Sequence, residues 1–328
     1  MAFVQYSMQE RFGAEFPNVQ LIGQQFEAGD PALNFVPKID QNYTFDRDAL
    51  ADVLNYLQEC WNGGTSEAQM LIGPTGSGKT SLIHQVCARL GAPVMDVTGH
   101  GRLEIPQLLY SKIAVDGTTM TLDGPLTAAL AKGMVFLLNE IDLIEPETLT
   151  GLNDVLEYQR VVIEDDGRLV RAERGFAFIA TCNTAGGGDD TGMYAGTKVQ
   201  NIAFRDRFRK SLVDYRDEAS ELAVLQRLFP SIDQKLAEKF VKVANLVRNA
   251  FKDGSTGMDV TLSLRTLIRW VKLTSANSGQ QAKGRSPVHY ALDRALAFGT
   301  SPGTYEALHQ MVSQEFGVGP TIANPSIG

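Results

Sequence analysis

Short, strongly apolar runs alternate with segments of helical periodicity along the first two thirds of the chain. The runs typical of buried strands lie at residues 70–72, 92–97, 134–138 and 176–181. Segments with apolar residues at helical spacing lie at residues 46–61, 81–90, 103–110 and 146–156. Strands that alternate with helices across short loops predict an α/β domain, with a mostly parallel sheet covered on both faces.

Two turn signals interrupt this alternation. Asp116-Gly117 and Asp166-Gly167 each lie between extended runs, at residues 113–122 and 161–170. Asp-Gly between such runs favours a tight turn that joins antiparallel strands. We therefore expect two β-hairpins inserted into the α/β domain.

The pattern changes near residue 216, after which it is helical. Apolar residues recur on one helical face around residues 236–251, 261–273 and 286–298. This predicts an all-helical second domain, a lid, over residues 217–316, after an α/β domain over residues 46–216. Residues 1–45 contain three prolines and are expected to form an irregular arm with one short helix, and residues 317–328 a mobile tail.

A phosphate-binding loop follows the first strand. The loop matches G-x-x-x-x-G-K-[ST] at every fixed position, through Gly73, Pro74, Thr75, Gly76, Ser77, Gly78, Lys79 and Thr80. Glycines let backbone N–H groups turn toward phosphate oxygens, and the following helix adds partial positive charge. Lys79 would reach the β- and γ-phosphates of a nucleotide, and Thr80 would offer its hydroxyl to Mg²⁺. The alternative is a glycine-rich turn that binds nothing.

Polar residues end two later strands. Asn139 and Glu140 follow the run at 134–138, with Asp142 two residues further on, and Asn183 follows the run at 176–181. Glu140 could activate a water, Asn139 could hold Mg²⁺ through a bound water, and Asp142 could assist at the metal. Asn183 could orient the attacking water. The alternatives are a solvated acidic loop after a buried strand and an ordinary turn asparagine.

Arginines follow at two places. Arg205, Arg207 and Arg209 lie in one short segment, and an arginine that crosses a subunit interface can stabilise a transferring phosphoryl group. The alternative is a basic surface turn paired with Asp206. Arg265 opens a helix of the second domain and could reach a γ-phosphate, or it could be an ordinary helix-surface arginine.

Composition excludes several classes of protein. The 328 residues carry a net charge of −8, which disfavours a general duplex-DNA binder, and no apolar run is long enough to span a bilayer. The three cysteines and four histidines show no metal-ligand spacing. Without a secretory signal at the N-terminus, we expect a reduced, cytoplasmic protein.

The motifs in this order resemble the AAA+ ATPases of the MoxR branch, in particular the ATPase subunits of aerobic cobaltochelatases. The resemblance runs from about residue 38 to about residue 316. The two hairpins match insertions of that branch, and the loop at residues 180–197 is its most specific segment. The resemblance implies an AAA+ P-loop three-layer α/β domain with a helical lid.

The resemblance also implies roles for individual residues. Lys79 and Thr80 match Walker A, Glu140 the Walker B glutamate and Asn183 sensor 1; Arg207 matches the arginine finger and Arg265 sensor 2. Asn139 departs from the usual aspartate, which leaves the rate of hydrolysis open. ATP and Mg²⁺ would bind at the interfaces of a ring, expected to be hexameric, with a CobT-like partner that carries a von Willebrand A domain.

The expected function is an ATPase that remodels a partner protein, with metal insertion by a cobaltochelatase-like complex as the specific case. Two alternatives remain. Asn139 favours an ATP-gated scaffold with low turnover. A nucleic-acid-directed motor would need basic residues that line a pore, such as Lys112, Arg168, Arg171 and Arg174.

Overall fold

The computed structural model describes residues 1–64, 67–115, 117–163, 166–184, 196–254 and 257–321. The chain divides into two compact units, Met1–Pro74 with Gly78–Asp214, and Thr75–Ser77 with Tyr215–Gly328. In the described ranges, no helix is both long enough and apolar enough to cross a membrane.

The first unit contains the sheet and both hairpins. Its strands and α-helices, in chain order, are β1 (Ala2–Ser7), α1 (Met8–Phe12), β2 (Gln20–Gln25), α2 (Arg47–Asn62), β3 (Ala68–Ile72), α3 (Lys79–Leu90), β4 (Val94–Thr98), α4 (Ile105–Leu109), β5 (Tyr110–Val115), β6 (Thr118–Asp123), α5 (Pro125–Lys132), β7 (Val135–Asn139), α6 (Pro146–Leu149), α7 (Asn153–Tyr158), β8 (Arg160–Ile163), β9 (Arg168–Arg171), β10 (Ala177–Cys182), α8 (Ile202–Arg205) and β11 (Phe208–Leu212). Short 3₁₀ helices lie at Pro31–Phe35, Ile141–Leu143 and Thr150–Leu152.

The central sheet has five parallel strands in the order β11-β3-β10-β7-β4. Strand β10 lies between β3 and β7, and its Ala180 is level with Met70 on one side and Leu138 on the other. Because all five strands run the same way, their carboxyl ends meet at one edge of the sheet.

Alternate residues of these strands belong to two separate cores. Leu71, Leu137 and Ile179 pack in a cluster that includes side chains of α2 and α3. The neighbouring Phe136 and Phe178 pack in a second cluster, with side chains of α4 and α5. Successive side chains of a strand point to opposite faces, so both faces of the sheet are covered by helices. The predicted three-layer α/β fold is confirmed.

Both predicted hairpins are present as antiparallel pairs. Strand β5 pairs with β6, and β8 pairs with β9. An ion pair of 2.9 Å between Arg168 Nη2 and Asp123 Oδ1 joins the second hairpin to the end of the first. Residue 116 of the first predicted turn lies outside the described residues.

The expectation of an irregular N-terminal arm is wrong in one respect. Strands β1 and β2 form an antiparallel pair, with α1 in the connection between them. Phe3, Tyr6 and Ile22 pack against the first core cluster. Residues 8–19 join the two strands. Because this connection is much longer than a tight turn, it lacks the Asp-Gly signal that predicted the other two hairpins.

The second unit is helical, as predicted. Its α-helices are α9 (Glu218–Leu228), α10 (Gln234–Asp253), α11 (Leu264–Ala276), α12 (Pro287–Ala295) and α13 (Pro302–Phe316). Three aromatic rings, from Phe240, Trp270 and Phe316, pack with centroids 4.6–6.0 Å apart. Residues 322–328 of the predicted tail lie outside the described residues.

A buried ion pair ties α9 to α10. Both carboxylate oxygens of Glu221 accept from the Arg248 guanidinium at 2.8 Å, and Arg248 Nε donates to the carbonyl oxygen of Leu262 at 2.7 Å. Glu221 is fully buried and Arg248 is 3 % exposed. Burial raises the pKa of Glu221, opposed by the charge and hydrogen bonds of Arg248.

We expect Glu221→Ala to destabilise the helical unit by about 3 kcal/mol, because the Arg248 charge would remain buried without its carboxylate. Denaturant unfolding followed by circular dichroism measures this loss. Lys242→Ala is the control, since Lys242 pairs with Glu315 but is 60 % exposed, and it should cost less than about 1 kcal/mol. Equal losses in the two variants would contradict a special role for the buried pair.

Candidate nucleotide site

The phosphate-loop sequence forms a turn between β3 and α3. Gly76 and Gly78 have φ angles of +70° and +99°, which L side chains adopt only at a cost. Gly78 is the N-cap of α3, and among the described residues no side chain caps this helix. The N-terminus of a helix that lacks a side-chain cap presents backbone N–H groups and partial positive charge, which favour an anion.

Lys79, the first residue of α3, is buried without a carboxylate partner. Its Nζ donates to the carbonyl oxygens of Gly73 at 2.6 Å and Pro74 at 3.0 Å, and to Asn183 Oδ1 at 3.1 Å. Only 8 % of Lys79 is exposed, and burial lowers its pKa to about 8. Among the described residues, no carboxylate forms an ion pair with it. The ammonium therefore has only neutral hydrogen-bond acceptors, with the charges of Asp142 and Glu140 nearby but not in contact, and an anion at the loop would pair with it directly.

Asn139 connects the start of α3 to the end of β7. Its Oδ1 accepts from Thr80 Oγ1 at 2.6 Å and from Thr181 Oγ1 at 3.3 Å. Thr181 Oγ1 in turn accepts from the backbone N–H of Glu140 at 3.1 Å. Thr80, whose hydroxyl was expected to face Mg²⁺, thus donates it to Asn139, which was expected to hold the same ion.

Glu140 has an unusual backbone. Its φ is +55°, in the left-handed region, and its side chain is exposed. For a residue other than glycine this conformation costs about 1–2 kcal/mol. Such strain persists where the surroundings fix it, and it occurs often at functional sites. The turn directs the chain from β7 into the 3₁₀ helix Ile141–Leu143.

Asp142 binds the end of β10. Its Oδ2 accepts from the backbone N–H groups of Asn183 and Thr184, at 2.8 and 3.0 Å, and from Thr184 Oγ1 at 3.2 Å. Asp142 is 1 % exposed, and its Oδ1 has no partner among the described atoms. The geometry gives Asp142 a structural task that the sequence analysis did not foresee, which is to fix Asn183.

Direct hydrogen bonds link five of the predicted residues in two sets, Thr80 with Asn139, and Lys79 and Asp142 with Asn183. Residues 185–195 of the loop predicted to be most specific lie outside the described residues. Thr181 was missed because it lies within an apolar run. Its signal was a lone hydroxyl near the end of that run.

Among the described residues, none of the predicted arginines forms a hydrogen bond with these sets. Arg207 pairs with Glu157, with Arg207 Nε 2.7 Å from Glu157 Oε1, and not with Asp206. Arg265 is exposed at the second position of α11 and forms no hydrogen bond or ion pair with a described residue. The Nε of Arg205 is buried without a partner among the described atoms, and Arg209 pairs with Glu59 and Glu67.

Two of the basic residues considered for nucleic acid are engaged within the chain. Arg168 pairs with Asp123 and Asp166. Arg174 donates to the carbonyl oxygen of Trp61 at 2.8 Å and lies over the Phe3 ring. Of these two, Arg168 is paired with carboxylates, and Arg174 is held by a carbonyl oxygen and an aromatic ring.

Comparison with known proteins agrees with this site. Residues 68–208 match the family described as AAA domain (dynein-related subfamily), and residues 221–315 match the family CbbQ/NirQ/NorQ C-terminal. The chain belongs to the MoxR-type AAA+ ATPases. The first match covers the phosphate loop and both strand-end motifs, and the second covers most of the helical unit.

Individual relatives of this MoxR-type chain are known. The aerobic cobaltochelatase subunit CobS of a Sinorhizobium species is 29 % identical over 276 residues, covering 81 % of this chain and 79 % of CobS. Uncharacterized proteins of Staphylococcus haemolyticus and of Staphylococcus aureus strain RF122 are each 31 % identical over 205 residues, covering 61 % of this chain and 74 % of theirs.

We expect Asp142→Ala to release the end of β10, because two backbone N–H groups would lose their acceptor. Hydrogen–deuterium exchange of the peptide that contains Asn183 and Thr184 should speed up by at least tenfold. Glu147→Ala is the control, since Glu147 lies nearby in sequence but is exposed. Unchanged exchange in Asp142→Ala would mean that other contacts hold Asn183.

Proposed function

We propose that this chain binds ATP with Mg²⁺ and hydrolyses it to ADP and phosphate. The observation that supports this most directly is the position of Lys79. Its buried ammonium has no carboxylate partner among the described residues and lies beside a glycine loop and the N-terminus of a helix for which they provide no side-chain cap. These features fit a polyphosphate. The hydroxyl of Thr80 and the amide oxygen of Asn139 are oxygen donors of the kind that suit hydrated Mg²⁺.

Each residue then has one task. Lys79 and the loop amides would hold the phosphates, and Thr80 with Asn139 would hold the metal through oxygen contacts. Bound Mg²⁺ would supply charge neutralisation at the phosphates. Glu140, with its exposed carboxylate, would accept the proton of the attacking water. Asn183 would orient that water, and Asp142 would keep Asn183 in register.

The proposal extends to the assembly in which ATP is hydrolysed and to the process that this hydrolysis drives. We infer a ring, expected to be hexameric, in which Arg207 of one subunit serves the site of the next and Arg265 responds to the γ-phosphate. The ring would remodel a partner protein. The likeness to CobS supports a metal-insertion complex with a von Willebrand A-domain partner, in which the metal ion would be a substrate held by another subunit.

A second function is favoured by Asn139. A neutral amide there contributes no negative charge toward a divalent ion, whereas the family has a carboxylate. A chain with weak metal positioning could act as an ATP-gated scaffold, which changes shape on binding and turns over slowly. Steady-state phosphate release by the unaltered chain separates the two functions.

We expect Glu140→Gln to retain ATP binding and to lower turnover by at least about 100-fold, because only the proton acceptor is lost. Binding is measured by calorimetry and turnover by phosphate release. Lys79→Ala should lose both, because it removes the charge at the phosphates. Glu147→Gln, an exposed neighbour, should change neither. Full turnover in Glu140→Gln would place the base elsewhere.

We expect the chain with Arg207→Ala to regain activity when it is mixed with the chain carrying Lys79→Ala. A subunit with an intact phosphate loop can then lie beside one with an intact finger. Light scattering confirms assembly at each ratio. Arg209→Ala, which removes an arginine paired with Glu59 and Glu67, should stay active alone. Absence of rescue in assembled mixtures would contradict an interface finger.

A further inference from the structure

Two buried histidines of the helical unit face each other. His289 on α12 is 2 % exposed and His309 on α13 is 7 % exposed, and their Nδ1 atoms are 2.6 Å apart. The ring centres are 4.9 Å apart and the planes differ by 9°. When two imidazole rings bring their Nδ1 atoms this close, 4.9 Å is near the largest separation that their centres can have. Each Nδ1 therefore points at the other, and the rings lie edge to edge and not face to face. The contact therefore has the geometry of a direct N–H···N hydrogen bond.

The outer nitrogen of each ring is already committed. His289 Nε2 lies 2.8 Å from the carbonyl oxygen of Val318, and His309 Nε2 lies 2.8 Å from Asp293 Oδ1. Carbonyl and carboxylate oxygens accept hydrogen bonds, so each Nε2 carries a proton. If both rings were neutral, the two Nδ1 atoms would present lone pairs to each other. One additional proton between them turns this repulsion into a hydrogen bond.

We propose that His289 and His309 form a binding site for a single proton, and that this proton holds residues 317–321 against α12. His309 carries the charge beside Asp293, and His289 is the neutral acceptor. Burial lowers the pKa of His289, which opposes a second proton. The pair thus excludes both the neutral and the doubly charged states.

The surroundings of the pair contain little other charge. Asp293 on α12 is the carboxylate at His309, and Tyr305 on α13 has its ring centre 4.4 Å from that of His309. Burial and a hydrogen bond with Asp293 raise the pKa of Tyr305, so it stays neutral. In the described ranges, neither α10, α11 nor residues 317–321 places a charged side chain within hydrogen-bond distance of either ring.

The pair is joined to the C-terminal segment through His289. Next to the contact with Val318, the backbone N–H of Ser286 donates to the carbonyl oxygen of Pro320 at 3.2 Å, and Arg285 forms a β-bridge with Thr321. A second proton on the pair would put an N–H on both facing nitrogens and separate the rings. The contact of His289 with Val318 would then be lost.

Proton counting gives a distinctive pH profile. Unfolded histidines titrate near pH 6.5, whereas the folded pair holds one proton on both sides of that value. Below about pH 6.5 the unfolded chain binds more protons, so stability rises with pH. Above it the folded chain binds more, so stability falls with pH. We call the rising part of this profile the acid limb and the falling part the alkaline limb. On each limb the unfolding constant approaches a tenfold change per pH unit.

The full-length chain is the sample, and the double variant His289→Gln/His309→Gln is the baseline for its unfolding profile from pH 5.5 to 8.5. We expect the wild-type-minus-baseline difference to peak between the two limbs. Hydrogen–deuterium exchange at the Ser286 amide and at residues 317–321, corrected for intrinsic rates, should show maximal protection at the same pH.

Single variants assign the limbs. In His289→Gln the amide can accept from His309 and donate to Val318 but cannot take up a proton, so the acid limb should disappear while the segment stays protected. Asp293→Asn removes the counter-charge and should move the alkaline limb to lower pH. His84→Gln is the control, since His84 pairs with Asp96 in the other unit, and should leave both limbs unchanged.

Three results would overturn the proposal. A difference profile that rises and then stays level above pH 6.5 would mean two neutral rings. A stoichiometric metal in the purified chain, with stability lost to a chelator, would mean that a cation lies between the nitrogens. An acid limb that survives in His289→Gln would mean that another group titrates.

Discussion

The parallel pairing of β10 with β3 on one side and β7 on the other positions the hydrogen-bonded residues of the candidate nucleotide site. Because Ala180 is level with both Met70 and Leu138, the three strands end together. Asn139 and Asn183 lie at those ends, where Asn139 accepts from Thr80 and Asn183 accepts from Lys79. A slip of one residue would exchange the two faces of β10 and bury the wrong side chains.

The network around Lys79 is built mainly from neutral groups. Its ammonium contacts two carbonyl oxygens and one amide, and Asn139 supplies an amide where a carboxylate is usual for the family. The buried carboxylate of Asp142 is occupied by backbone N–H groups. Asn139 therefore adds no charge of its own beside Thr80, and its effect on turnover remains a proposal.

Local patterns were enough to predict most of the fold. The buried strands show as apolar runs, the two inserted hairpins have Asp-Gly turns, and the helices of the second unit have a continuous apolar face. The residues joined in the network were predicted because phosphate chemistry restricts which types can follow a strand. Glu140, Arg207 and Arg265 remain predictions, because no contact in the structure tests their roles.

Long-range pairing could not be predicted. Strand β11, with sequence FRKSL, is mostly polar and was not predicted as a strand, yet it pairs with β3 along its length. The antiparallel pair of β1 and β2 also depends on partners distant in sequence. The contact of Arg207 with Glu157 spans 50 residues and has no local signal. In each case a partner elsewhere in the chain decided the outcome.

With Glu140 as the proposed base, its left-handed backbone makes this position a point of conflict between stability and activity. Glycine would relieve the strain and stabilise the fold, but it would remove the carboxylate. Selection for thermal robustness alone would thus tend to drive position 140 toward glycine or asparagine. Under the proposed role of Glu140, a homologue that carries either residue there would have lost the base and gained rigidity, and would be expected to serve its complex as a nucleotide-bound structural subunit.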